Sequence, residues 1–140
     1  KVKINYKANI KSIFVSGRKR MNIIFNNLIS NAIKYADHNK TDSYVNIFAK
    51  VDENQAIFKI EDNGIGIEQK HLANIFKMFF RANERESGSG LGLYITLENL
   101  KKLDGKITVD SIFGKGTVFE ITIPNKKLHL EKEASKSVES

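Results

Sequence analysis

Apolar and polar positions divide the 140-residue chain into segments with two different periods. Residues 2–8, VKINYKA, and residues 12–17, SIFVSG, alternate between apolar and polar side chains. That alternation is typical of half-buried strands, and the short polar link between the two segments predicts a hairpin. YVNIFAKV and AIFKIED predict two more strands joined by the turn DENQ, and KITVDSIF and TVFEITIP predict a last hairpin around GKG.

Three segments have the helical period instead. In residues 18–37 the apolar side chains recur three or four positions apart, which predicts an amphipathic helix whose core face contains Met21, Ile24, Phe25, Leu28, Ala32, Tyr35 and Ala36. Residues 68–79 predict a second helix. A third helix runs from a glycine-rich stretch to Leu103, and Gly105 stands where a helix stop is expected.

The order of these segments predicts one domain, residues 1–124, followed by a tail. Strands in hairpins mixed with helices predict an α+β fold, a two-layer sandwich in which about three helices cover one face of a mixed, mainly antiparallel sheet. Residues 125–140 have mixed charge and few large apolar side chains, so we expect them to be disordered.

Composition excludes several classes of protein. The chain has no cysteine and its three histidines are scattered, which excludes a thiolate metal site and leaves oxygen ligands for any metal. No apolar run approaches the roughly 20 residues of a membrane span, so we expect no membrane contact from this segment. The net charge of +7 comes from lysines interleaved with acids, so we expect no direct binding of nucleic acid.

Seven of the nine glycines fall into three clusters, DNGIG, GSGLGL and GKG. A glycine-rich turn that opens a helix exposes backbone N–H groups at the positive end of the helix dipole, where a phosphate can bind; a plain loop is the alternative. Asp62 ends a strand just before the first cluster, where its carboxylate can accept a hydrogen bond from the amine of adenine, although a turn without a ligand would use the same residues.

A polar stripe follows one side of the first helix. Asn27, Asn31 and Lys34 are spaced i, i+4 and i+7, beside the apolar face. The amide oxygen of Asn31 can ligate Mg²⁺, which prefers hard oxygen ligands, and Lys34 can neutralise phosphate. A merely polar helix flank is the alternative.

The order of the motifs NNLISNAIKY, EDNGIGI, IFKMFFR, GSGLGLYI and GKGTVFEITIP resembles the ATP-binding catalytic domain of sensor histidine kinases. That domain belongs to the superfamily shared with gyrase, Hsp90 and MutL, and the resemblance covers residues 2–124. It implies a Bergerat-type fold that holds ATP between the first helix and a flexible lid, here residues 81–88. The activity it implies is donation of the ATP γ-phosphoryl group to a histidine on a separate domain.

The resemblance also implies a set of site residues. Asn31 would ligate Mg²⁺, Asp62 would bind the adenine amine, and Asn27, Lys34 and Arg81 would be catalytic. The implied nucleotide contacts are Asn27, Asn31, Lys34, Tyr35, Asp62, Gly64, Gly66, Ile67, Phe80, Ser89, Gly90, Leu91, Gly92, Leu93 and Thr117. Met78 and Phe80 depart from the family pattern, which frequently has a basic residue and a tyrosine there.

The phosphoacceptor histidine of the family lies in a helical dimerisation domain, and none of the three histidines here has its motif. We interpret His71 as a surface helix residue. The implied partners are that dimerisation and phosphoacceptor domain and a response regulator, with a monomeric fragment, a homodimeric full-length protein and a cytoplasmic location.

Two other functions stay open. The superfamily's hydrolases have a glutamate as general base where this chain has Asn27, which disfavours an ATPase. A degenerate nucleotide-binding or protein-interaction module without catalysis is the second alternative.

Overall fold

The computed structural model describes residues 1–82 and 88–139, with side chains to residue 137. Along the chain the elements are β1 (Lys3–Ile10), α1 (Arg18–Lys34), β2 (Tyr44–Val51), β3 (Gln55–Asp62), α2 (Gln69–Leu72), α3 (Gly92–Lys102), β4 (Lys106–Ile112), β5 (Gly116–Pro124) and α4 (Lys127–Glu139).

The five strands form one sheet in the order β1-β2-β3-β5-β4. β1 is parallel to β2, and the other three pairs are antiparallel. α1 and α3 pack together on one face, where fully buried Ile24, Leu28 and Leu100 meet Ile60 and Ile121 of the sheet. The predicted α+β two-layer sandwich is therefore confirmed.

The hairpin predicted between residues 2–8 and 12–17 is wrong. β1 pairs instead with β2, and α1 is the crossover that a parallel pair requires. Residues 12–17 form no strand, because the side chain of Asn125 forms hydrogen bonds with their backbone. Its NH₂ group donates to Ile13 O at 2.8 Å, and its oxygen accepts from Val15 N at 3.0 Å. The alternation in this segment places Phe14 edge-on against Phe58.

The helix predicted over residues 68–79 is mostly absent. Only Gln69–Leu72 is helical, and the chain then continues in tight turns, each closed by a backbone bond three residues back, such as Asn74 N to His71 O and Lys77 N to Asn74 O. The series of turns ends at Phe79, whose φ of 64° lies in the left-handed region and is incompatible with a right-handed helix. The apolar period survives in Ile75 and Phe76, which still pack on the core.

The third helix ends where the sequence predicts, but through a different residue. Gly105 N bonds to Leu100 O and Asp104 N to Lys101 O, the pattern of a Schellman motif. The left-handed position belongs to Asp104, whose φ is 57°, rather than to Gly105. Gly105 provides room, since a Cβ there would lie 3.0 Å from Leu100 Cδ2.

The segment expected to be a disordered tail contains helix α4 instead. Its side chains from Leu128 to Ser137 are exposed, whereas its first residue, Lys127, is half-buried and pairs with Glu53 of the β2–β3 turn at 3.9 Å. Division of the chain into a domain and a tail stays a prediction, but the tail's secondary structure differs from the expectation.

Candidate functional site

A cavity of about 440 Å³ opens where the C-terminal end of α1 meets the end of β3 and the start of β5. Its walls come from five places in the sequence: the end of α1, the loop after Asp62, α2 with the turns that follow it, residues 80–82 with the glycine run, and the β4–β5 hairpin. All of these except α2 belong to the sequence motifs described above.

Asp62 and Thr117 face each other across the last pair of positions in the β3–β5 ladder, and both line the cavity. Asp62 Oδ1 accepts a hydrogen bond from Gly64 N at 2.9 Å, and Thr117 Oγ1 shares one with Ser111 Oγ at 2.8 Å. Burial raises the pKa of Asp62, and the N–H groups of Gly64 and Thr117 oppose that rise by hydrogen bonding to the carboxylate. The half-buried carboxylate of Asp62 therefore lies in the wall of the cavity and can accept a further hydrogen bond.

The two glycines after Asp62 are needed for close approach of other backbone. A Cβ on Gly64 would collide with Tyr35 O, the carbonyl that accepts a bond from Ile65 N at 3.0 Å. Gly66 has φ of 75°, and a Cβ there would collide with Ile112 O. Glycine at these positions lets the loop contact both α1 and the β4–β5 hairpin.

Another group of lining residues is cationic and rich in glycine. Asn31, Lys34 and Tyr35 line the cavity from α1, and Lys34 Nζ lies 5.0 Å from the Tyr35 ring centroid. The same Nζ reaches the glycine run, since a Cβ on Gly88 would lie 2.9 Å from it. Arg81 lines the same cavity.

Gly88 and Gly90 both have positive φ, 101° and 73°, whereas Gly92 begins α3 and has open space around its Cβ position. The first two glycines are therefore required by the path of the chain, and the third is not. Residues 83–87 of the predicted lid lie outside the described residues.

Most of the predicted site residues meet at this cavity. Those that line it are Asn31, Lys34, Tyr35, Asp62, Gly66, Ile67, Phe80, Arg81, Ser89, Gly90, Gly92, Leu93 and Thr117. Asn27, Gly64 and Leu91 are not among the lining residues described. Asn27 Nδ2 instead donates to Gly92 O at 3.2 Å, a bond that ties α1 to the start of α3.

Sequence reasoning missed several lining residues, namely Ala32, Ile65, Glu68, His71, Ile75, Ala82, Phe113 and Phe119. His71 was interpreted as a surface residue, but it is half-buried at the cavity, 5.6 Å from Phe80 between ring centroids. Phe113 immediately precedes the GKG turn, so the turn motif could have indicated it.

The amide oxygen of Asn31 is the candidate metal ligand at the cavity. The described residues contain no group of three or more histidine, cysteine, aspartate or glutamate side chains able to hold an ion. Asn31 nevertheless lines the cavity near Lys34, and Mg²⁺ commonly takes few protein ligands together with phosphates and waters.

In the described part of the chain, no helix is long and apolar enough to span a membrane.

Residues 17–127 match the family described as "Histidine kinase-, DNA gyrase B-, and HSP90-like ATPase". The chain belongs to this family. That match confirms the superfamily that the motifs indicated.

Its relatives include sensor kinases. The aerobic respiration control sensor protein ArcB of Escherichia coli K12 is 36% identical over 110 residues, 74% of this chain and 14% of ArcB. The autoinducer 2 sensor kinase/phosphatase LuxQ of Vibrio vulnificus is 34% identical over 120 residues, 81% of this chain and 14% of LuxQ. The chain thus spans about a seventh of the length of these relatives.

Solved structures share the fold. The mycobacterial sensor histidine kinase MprB superposes with a TM-score of 0.71 at 25% identity, covering 87% of this chain and 82% of that one. Full-length ShkA in complex with AMPPNP gives a TM-score of 0.76 at 24% identity, covering 89% of this chain and 26% of ShkA. The sandwich therefore has the same fold as these sensor histidine kinase structures.

Proposed function

We propose that this chain is the catalytic domain of a sensor histidine kinase, which binds Mg-ATP and donates its γ-phosphoryl group to a histidine on a separate helical dimerisation domain. The observation behind the proposal is that Asp62, Asn31, Lys34, Arg81 and the glycine run all line one cavity. A carboxylate that can accept from adenine and a cationic, glycine-rich end that can bind phosphate suit the two ends of ATP.

The residues divide the work between binding and transfer. Asp62 accepts from the adenine amine, and Lys34 and Arg81 offset the charge of the phosphates. Asn31 offers an amide oxygen to Mg²⁺, which when bound neutralises phosphate charge. Such a transfer depends on positioning and charge neutralisation, because the protein does little of the covalent chemistry.

The nature of Asn27 favours a kinase over a hydrolase. An amide cannot take a proton from water at neutral pH, and its Nδ2 is hydrogen-bonded to Gly92 O. A neutral imidazole is already nucleophilic, so a histidine acceptor needs no general base from this domain. We infer that the acceptor comes from the dimerisation domain of the same homodimeric cytoplasmic receptor, with a response regulator as the next acceptor.

The test is to mix the chain with its receptor's dimerisation domain and radiolabelled ATP. We expect a labelled protein that loses phosphate in acid and keeps it in alkali, as phosphohistidine does and phosphoserine does not. Rapid phosphate release by the chain alone would favour a hydrolase. ATP binding with neither reaction would favour a degenerate module.

A further inference from the structure

Lys40 lies in the loop between α1 and β2, and its ammonium group reaches two other loops at once. Nζ donates to Asn63 O at 2.7 Å and lies 3.4 Å from Gly64 O, both in the loop after β3. It also donates to Gly114 O at 3.1 Å and lies 3.3 Å from Lys115 O, both in the β4–β5 turn. One half-buried side chain therefore connects the loop that follows Asp62 with the turn that precedes Thr117.

Four carbonyl oxygens around one nitrogen are a cation site made of backbone. An ammonium group has three hydrogens, so the two longer contacts share one or are met in alternation. The negative ends of four carbonyl dipoles converge there, and without a cation they would repel one another and need other partners. A compact, rotatable charge suits such a cage better than the planar guanidinium of arginine.

The two connected loops form the wall of the cavity at Asp62. They are also joined by Gly114 N to Ile65 O at 2.6 Å and by Ser111 Oγ, which accepts from Ile67 N at 2.7 Å and bonds to Gly116 O and Thr117 Oγ1. We infer that Lys40 is a positioning residue of the nucleotide site: by holding these loops together it places Asp62 and Thr117 for contact with the base. This inference rests on the proposed function.

Electrostatics adds a second, separable effect. The positive charge of Lys40 lowers the pKa of Asp62, against the rise caused by burial and by neighbouring Glu61. Lys34, Glu68, His71 and Arg81 line the same cavity and are common to every variant compared below. Removal of Lys40 should therefore move protonation of Asp62 to higher pH, which a purely structural role in the loop would not do.

The variant Lys40→Met tests both effects, with Lys115→Met as the matched control because Lys115 is exposed in the same turn. In the nucleotide-free chain, we expect the amide of Gly114 to exchange its hydrogen at least about tenfold faster in Lys40→Met, as loss of a charged hydrogen bond implies. ATP binding by calorimetry should weaken by a similar factor. The acid limb of its pH dependence should shift to higher pH, and Lys115→Met should match the wild type in all three.

Failure of this inference is distinguishable from failure of the proposed function. If the wild-type chain does not bind ATP, the proposed function is wrong. If the wild type binds ATP and Lys40→Met has wild-type exchange, affinity or pH dependence, the inference about Lys40 is wrong. Should Lys40→Met not fold, Lys40→Arg replaces it: faster exchange at Gly114 and weaker ATP binding are expected, and wild-type values for either overturn the inference.

Discussion

Replacement of Asp62 by asparagine should change which base the cavity prefers. The wild-type carboxylate has one oxygen bonded to Gly64 N at 2.9 Å and faces the cavity as an acceptor. Adenine presents an amine to it, whereas guanine presents a carbonyl at the same place. Guanine would set two acceptors against each other, so we expect the wild type to prefer ATP.

The size of that preference follows from the cost of an unpaired polar group. A buried contact without its partner costs about 1–3 kcal/mol, which corresponds to roughly 5- to 150-fold in affinity. In Asp62→Asn, the amide oxygen can keep the bond from Gly64 N, and the NH₂ group then faces the cavity. That donor opposes the amine of adenine and pairs with the carbonyl of guanine, so the ratio of ATP to GTP affinity should fall at least about tenfold.

Calorimetric titration of the wild type and of Asp62→Asn with ATP and with GTP, at fixed Mg²⁺, measures the ratio of the two affinities. Equal affinities in the wild type, or an unchanged ratio in Asp62→Asn, would refute the role assigned to Asp62. The nucleotides share their phosphates, so the ratio is insensitive to general changes at the cationic end of the cavity.

Stability measurements separate this effect from unfolding. Because burial raises the folded-state pKa of Asp62 above its unfolded value, the folded chain binds the proton more tightly than the unfolded chain. The charged form therefore costs stability at neutral pH. That cost decreases as the pH falls below the folded-state pKa and is absent below the unfolded-state pKa. Asp62→Asn should be at least as stable as the wild type in urea at pH 7, with an advantage that shrinks towards acid pH. A large loss of stability at pH 7 would mean that Asp62 has a structural role.

Four further substitutions address other parts of the site. Asn31→Ala should abolish the strengthening of ATP binding by Mg²⁺ while circular dichroism shows an intact fold; a persistent Mg²⁺ effect would contradict the ligand assignment. Gly64→Ala should lower the free energy of unfolding by about 1–3 kcal/mol, because its Cβ collides with Tyr35 O, whereas Gly92→Ala, with open space at Cβ, should be neutral or slightly stabilising. Arg81→Ala should reduce phosphoryl transfer to the dimerisation domain much more than ATP affinity, and equal losses in both would assign Arg81 to binding alone.

Local periodicity was sufficient to predict most of the elements. The apolar positions of α1 fix which face is buried, and Met21, Ile24, Leu28 and Ala32 are indeed buried. The hairpins around DENQ and GKG follow from turn residues between alternating segments. The pairing of β1 could not be predicted in this way, because alternation identifies a strand and not its partner, and the partner β2 lies beyond a whole helix.

The candidate site likewise contains some residues that local sequence identifies and others that it does not. Asp62, Asn31 and the glycine run belong to motifs with chemistry readable in a few consecutive residues, and the structure brings them to one cavity. His71 reaches that cavity from α2, which belongs to none of the motifs, and the partners of Lys40 are four carbonyls from two distant loops. A residue whose role depends on contacts with distant segments of the chain leaves no pattern in the neighbouring sequence.

The position of β1 at the edge of the sheet has a mechanical consequence. It is bonded to one strand only, all eight of its residues are exposed, and two strands separate it from the ladder position of Thr117. Opening β1 would break few buried contacts and would leave the antiparallel strands and the cavity intact, so it should be among the least costly local unfolding events of the domain. A pull or twist applied at residue 1 would therefore be absorbed by peeling of β1 before it could distort the cavity.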